Sequence, residues 1–127
     1  MAKVLIAEDE QDIRELIKYS LDYAGLEVVA VSNGQELVDT VKAMEIKPDL
    51  IISDVRMPQK TGYEACAEIK AMPELQDVPI IFLSAKGQES EIKTGLSSGA
   101  YEYILKPFEP NELMKRVTDI ISGKTRT

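Results

Sequence analysis

Five short apolar runs recur along the chain, each followed by a longer stretch in which apolar residues return every three or four positions. The runs are Val4 to Ala7, Val28 to Val31, Leu50 to Ile52, Ile80 to Leu83 and Tyr103 to Leu105. This alternation predicts βα units and a parallel sheet covered by helices on both faces. The first amphipathic stretch carries Ile13, Leu16, Ile17, Leu21 and Ala24, and Gly25 follows where a helix end favours a left-handed residue. The second, with Leu37, Val38, Val41 and Met44, closes before Pro48; the third, with Ala65, Cys66, Ile69 and Met72, closes at Pro73. The fourth, from about Gln88 to Ser98, holds Gly95, Ser97 and Ser98, weak helix formers that make it the least stable element expected. The fifth uses Leu113, Val117, Ile120 and Ile121, with Pro110 in its first turn, and ends at Gly123 before a polar tail, residues 123–127.

Length and charge narrow the reading. A chain of 127 residues, 44% hydrophobic and 29% charged, suits one globular domain with one core, spanning residues 1–127. Fifteen basic against 22 acidic residues give a net charge of −7, with the basic ones scattered, so direct nucleic-acid binding is disfavoured. No leader or long apolar run is evident, which predicts no membrane insertion, and the lone cysteine, Cys66, fits a reducing, cytoplasmic setting. Without a histidine anywhere to activate it, Cys66 reads as a buried, inert thiol on a helix's apolar side.

The chemistry-bearing residues fall just beyond the runs. Ligands of open parallel sheets bind outside the carboxyl ends of the strands. There the chain places Glu8, Asp9 and Glu10 after the first run, Ser53 and Asp54 after the third, Ser84 after the fourth and Lys106 after the fifth. Taken singly, each has an ordinary explanation: a helix-capping acid, with Glu10 or Asp12 the expected capper of the first helix, a solvated loop carboxylate, a turn hydroxyl, a surface lysine. Together they collect at one end of the sheet, which independent decoration has no reason to produce. With a strand order 2-1-3-4-5, Asp9 and Asp54 would meet across neighbouring strands. Like charges about 4 Å apart repel by roughly 4 kcal/mol at an effective dielectric of 20, so the cluster needs raised pKa values, a lysine or a divalent cation, and hard oxygen ligands suit Mg²⁺.

The motifs "VLIAEDE", "PDLIISDVRMP", "PIIFLSA" and "YILKPF", in that order, resemble the receiver domain of two-component response regulators over Lys3 to about Ser122. The resemblance implies a flavodoxin-like (βα)5 fold, an α/β architecture with a five-stranded parallel sheet. It implies a signalling phosphoprotein rather than an enzyme, with only self-directed phosphoryl transfer and autodephosphorylation. Asp54 would be the phosphoacceptor, forming an aspartyl phosphate. Glu8, Asp9, Asp54 and the backbone carbonyl of Arg56 would hold Mg²⁺, Ser84 would bond the phosphoryl group, and Lys106 would pair with it. Pro107 matches the residue that follows a cis peptide, Tyr103 the aromatic that turns inward after phosphorylation, and Arg56, Ala85 and Lys86 positions flanking the site. Arg56 and Lys86 are expected to shield the modified aspartate from water. The implied partners are a histidine kinase or phosphotransfer protein upstream and a protein target downstream. The Gln88 to Ser98 stretch with the fifth strand and fifth helix would be the output face. With no effector segment after Ser122, the expectation is a stand-alone, messenger-like receiver, or a phosphorelay intermediate, either monomeric or dimerising on phosphorylation.

Two departures and several rivals belong beside this. Glu8 replaces the commoner first aspartate, and its extra methylene leaves direct and water-mediated metal contact both open. Thr61 stands where an aspartate often precedes the glycine, which is expected to alter the loop more than the chemistry. An aspartate-nucleophile Mg²⁺ phosphatase would need a second aspartate where Arg56 stands, and a flavodoxin's phosphate would be repelled by Glu8 and Asp9. Nucleotide binders want glycine motifs that the seven glycines do not form, and a pseudo-receiver would not need Asp54, Ser84 and Lys106 together.

Overall fold

The computed structural model describes residues 2–57, 59–85, 102–106 and 108–122, with the backbone alone at 85, 102 and 106. Five parallel strands, β1 (Lys3–Ala7), β2 (Glu27–Val31), β3 (Leu50–Asp54), β4 (Ile80–Ala85) and β5 (Glu102–Lys106), form one sheet in the order β2-β1-β3-β4-β5. The described helices are α1 (Gln11–Tyr23), α2 (Gly34–Ala43), α3 (Gly62–Lys70) and α4 (Pro110–Ser122), with a short 3₁₀ turn at Pro73–Leu75. The α/β class and the 2-1-3-4-5 order are those expected of the flavodoxin-like fold. The fourth amphipathic stretch, Lys86 and Pro107 lie outside the described residues.

Strand alternation sorts the core into two layers. Leu5, Ile51, Ile80 and Phe82 pack beneath α2 and α3, while Val4, Ile6, Leu50, Ile52, Ile81 and Leu83 pack beneath α1 and α4. The amphipathic periodicity supplies the covering stripes: Leu37, Val38, Val41, Ala65, Cys66 and Ile69 on the first face, Ile17, Leu21, Leu113, Val117 and Ile120 on the second.

Helix α1 stops as its sequence predicts. Gly25 adopts φ +88°, its N–H donates to the Asp22 carbonyl, and Leu26 N–H donates to Leu21 O, which closes a Schellman motif with both leucines in the same core layer. The strands run past their apolar runs: Ser53 and Asp54 belong to β3, Ser84 and Ala85 to β4, and Lys106 to β5. The ladder is made by backbone groups, so polar side chains do not end it, and Val55 N–H still donates to Leu83 O at 3.1 Å.

Candidate functional site

Strand register decides which residues meet. Ala7 lies level with Ser53, which puts Glu8, one residue on, level with Asp54; Asp54 in turn pairs with Leu83, so Ser84 is one step beyond. Ala85 pairs with Lys106, carrying β5 to the same end of the sheet. Glu8 and Asp54 continue the alternation of Val4, Ile6 and of Leu50, Ile52, toward the α1 and α4 side. Ser84 continues Ile80 and Phe82 on the opposite side, the side of Tyr103.

The outcome is a carboxylate cluster. One oxygen each from Glu8, Asp9 and Asp54 lies within 4.8 Å of the others. Glu8 is fully buried and Asp54 is 6% exposed, while Asp9 faces solvent. Two buried acids beside a third concentrate negative charge in a low-dielectric place, an expensive arrangement unless a counter-charge enters. The donor set of three hard carboxylate oxygens with one side open to water fits a small divalent cation.

The segment around these acids is held by contacts that the sequence reading did not single out. Glu10 occupies the N-cap of α1, but its side chain makes no capping bond; the expectation that Glu10 or Asp12 caps this helix is corrected. Instead the Glu10 N–H donates to Glu8 Oε2 at 3.1 Å, so Glu8 organises the turn. The Arg14 guanidinium reaches back one turn and donates to the carbonyls of Glu8 at 2.8 Å and Asp9 at 3.4 Å. It supports the acidic loop through its backbone.

On the other side, Ser53 Oγ donates to the Asp54 carbonyl at 3.0 Å and Gly62 N–H donates to the Val55 carbonyl at 2.8 Å. A Cβ at Gly62 would lie 2.3 Å from the Asp54 carbonyl oxygen, so only glycine lets α3 begin this close to β3. Thr61, the departure noted above, is the N-cap of α3. Its hydroxyl accepts from Glu64 N–H at 3.1 Å while Glu64 Oε1 accepts from Thr61 N–H at 2.9 Å. This is a capping box, legible in advance as the spacing T-x-x-E. Hydrogen bonding from the Thr61 backbone N–H, and after it from the Thr61 side chain, holds the Glu64 carboxyl below the usual carboxylate range.

The remaining expected residues are distributed as follows. Ser84 is completely buried, Arg56 is exposed two residues after Asp54, and Tyr103 is half-buried on β5. The Tyr103 hydroxyl donates to that of Tyr63 in α3 at 2.5 Å, and its ring meets Phe82 edge-on with centroids 5.5 Å apart. Cys66 is buried as expected, and burial pushes its thiol up to about 11.

A family model described as the response regulator receiver domain matches residues 4–118. The chain is 39% identical over 117 residues to the phosphate regulon transcriptional regulatory protein PhoB of Rhizobium meliloti, covering 92% of this chain and 51% of that one. Among solved structures it resembles the signal receiver domain of a signal transduction histidine kinase from Syntrophus aciditrophicus, with TM-score 0.89, 35% identity and coverage of 100% and 95% of the two chains. It also resembles the receiver domain of the sensor histidine kinase PA1611 from Pseudomonas aeruginosa, solved with a magnesium ion coordinated in its active-site cleft, with TM-score 0.86, 30% identity and coverage of 95% and 98%. The chain belongs to the receiver domain family of two-component response regulators, whose members are phosphorylated signalling switches that work with Mg²⁺ and interact with histidine kinases or phosphotransfer proteins. It spans about half the length of the curated relatives it matches. No described helix is long and apolar enough to cross a membrane.

Proposed function

We propose that Asp54 accepts a phosphoryl group from a histidine kinase or a histidine phosphotransfer protein, and that the change is passed on by protein–protein contact. The observation that carries this reading is the meeting of the Glu8, Asp9 and Asp54 carboxylates at the carboxyl ends of two neighbouring strands. An Asp54 carboxylate oxygen bonds to phosphorus while the bond from phosphorus to the donor's imidazole nitrogen breaks, leaving an acyl phosphate and a free histidine. Glu8, Asp9, Asp54 and the carbonyl of Arg56 would hold Mg²⁺, whose charge would let an anionic nucleophile approach an anionic donor. Lys106 pairs with the phosphoryl oxygens and Ser84 donates to one of them.

The modification adds a charge of about −1.5 to −2 and three acceptor oxygens. Ser84 is drawn toward it, and Tyr103, on the same face, follows. The output surface is β5 with α4 and the Gln88 to Ser98 stretch; a groove of about 370 Å³ along β5 and α4, lined by Tyr103, Leu105, Phe108 and Arg116, supports that choice. Arg56 and Lys86 shield the acyl phosphate from water, so the double alanine variant is expected to release phosphate faster. The setting is the cytoplasm, where histidine kinases present their phosphoryl groups.

Incubating the protein with acetyl phosphate and Mg²⁺ and weighing it intact tests this reading. Wild type is expected to gain one phosphoryl group only with metal present, and Asp54→Asn none. Equal gain by both, or none by wild type, overturns the assignment.

A further inference from the structure

The first turn of α3 is fastened to the phosphoacceptor strand at one end and to β5 at the other. At the near end, Gly62 lies against the Asp54 carbonyl so closely that any side chain would collide with it, and Gly62 N–H is bonded to Val55 O. The Thr61 and Glu64 capping box fixes the conformation of this turn. The next residue, Tyr63, stands edge-on against Phe82 with centroids 5.1 Å apart and planes at 88°. Phe82 is fully buried, level with Ser53 on one side and with Tyr103 on the other. The two tyrosine hydroxyls close the ring of contacts above it.

We propose that the Tyr63 hydroxyl is a latch that holds Tyr103 in its half-buried position against Phe82, and that a shift of the Asp54 backbone reaches β5 through Gly62 and Tyr63. The coupling rests on the reading of Asp54 as phosphoacceptor. This route is separate from the one through Ser84: it uses the backbone carbonyl of Asp54 and a helix start, not the phosphoryl oxygens. It makes Tyr63 a positioning residue. A half-buried tyrosine could keep its ring on Phe82 without any hydroxyl, so the hydroxyl is the part of Tyr63 with a task that packing does not explain. Any movement of Tyr103 away from Phe82 must break this bond, and the bond therefore biases Tyr103 toward its half-buried position.

Tyr63→Phe keeps the ring that meets Phe82 and removes the hydroxyl that accepts from Tyr103, so folding is expected to be retained. The full chain labelled with ¹³C-tyrosine reports the Tyr103 ring directly, with Tyr103→Phe identifying its resonance. In the unmodified protein, Tyr63→Phe is expected to move that resonance toward the value of a solvent-exposed tyrosine. The ratio of the two Tyr103 positions should change about fivefold, the factor that one net neutral hydrogen bond of about 1 kcal/mol commands. An unchanged Tyr103 resonance in Tyr63→Phe, with wild type still phosphorylated by acetyl phosphate, overturns the latch while leaving the phosphoacceptor reading intact. A lowered melting temperature with no movement of the resonance counts against it equally, since it is what mere packing predicts. Absence of any mass gain in wild type overturns the phosphoacceptor reading and the coupling with it, and the unmodified resonance then still judges the hydroxyl contact.

Discussion

Small residues at the acidic end of the sheet carry demands out of proportion to their size. At Gly62 the Asp54 carbonyl occupies the place of a side chain, and that carbonyl is backbone that cannot swing aside. Gly62→Ala is expected to destabilise the fold by about 1–3 kcal/mol, the usual cost of overpacking a tight contact. It should also slow acetyl phosphate labelling of Asp54 beyond what lost stability explains; urea melts and timed intact-mass measurements separate the two. Cys66 makes the opposite demand, that nothing happen there. With its thiol held at about 11 by burial, it has little thiolate at pH 8, and a thiol-specific reagent should label it slowly in native protein and rapidly in urea. Labelling at the same rate in both would show that the helix face opens. Both effects concern residues whose type is plain in the sequence but whose surroundings are not: the glycine's neighbour comes from another strand, and the thiol's depth depends on which stripe of α3 meets the sheet.

At the scale of elements, the helix starts differ in how they are made. Helix α2 begins at Asn33, whose side chain accepts from Glu36 N–H, and α3 begins at Thr61 with its capping box, whereas α1 has no side-chain cap at Glu10. The bonds from Thr61 lower the Glu64 pKa in the folded state. A depressed carboxyl pKa contributes stability that is present above the unfolded pKa and is lost as pH falls through the folded one. Acidification through and below the ordinary carboxyl range should therefore loosen the start of α3, seen as faster amide exchange at Glu64. Glu64→Gln, which keeps an acceptor for the Thr61 N–H but cannot titrate, should remove that acid sensitivity, and Thr61→Ala should cost about 1 kcal/mol at neutral pH; an identical exchange profile on acidification in wild type and Glu64→Gln would show that this carboxylate contributes nothing. The T-x-x-E spacing was available from sequence, while the helix-capping expectation for Glu10 or Asp12 failed: α1 has no side-chain cap at Glu10, and its entry is organised by Glu8, buried at the strand end, which accepts from the Glu10 N–H.

For the whole molecule, the acidic cluster sets stability against function. Three carboxylates within 4.8 Å repel one another, and two of them are shut away from water. Asp9→Asn removes one charge and should stabilise the metal-free protein by about 1 kcal/mol, the value that water-side screening leaves of a charge pair at such range. Mg²⁺ should raise the denaturation midpoint of wild type, by about 2.7 kcal/mol at a concentration a hundred times its dissociation constant, and do much less for Asp9→Asn. A metal-free Asp9→Asn variant less stable than wild type, or one equally stabilised by Mg²⁺, would remove electrostatic strain as the reason the site takes a cation. The penalty arises from the register of β1 against β3, so it belongs to the assembled sheet and to no single segment.

The alternation of apolar runs with amphipathic stretches by itself determined the strands, the described helices and most of the face that each buries, although Leu16 and Ala24 of the first helix's expected stripe are exposed, because period is a local consequence of backbone geometry while the edge of a stripe depends on what packs over it. The same holds for the gathering of polar residues at the strand ends, since the end of an apolar run marks where a strand nears the carboxyl edge of the sheet. Tertiary structure alone decided which of those residues face one another. A parallel strand's neighbour is set by crossover connections and register, and neither leaves a mark in the segment concerned. That is why Arg14 bracing the acidic loop, Gly62 against the Asp54 carbonyl and the Tyr63 to Tyr103 bond, between residues 40 positions apart, emerged only once the sheet was closed around them.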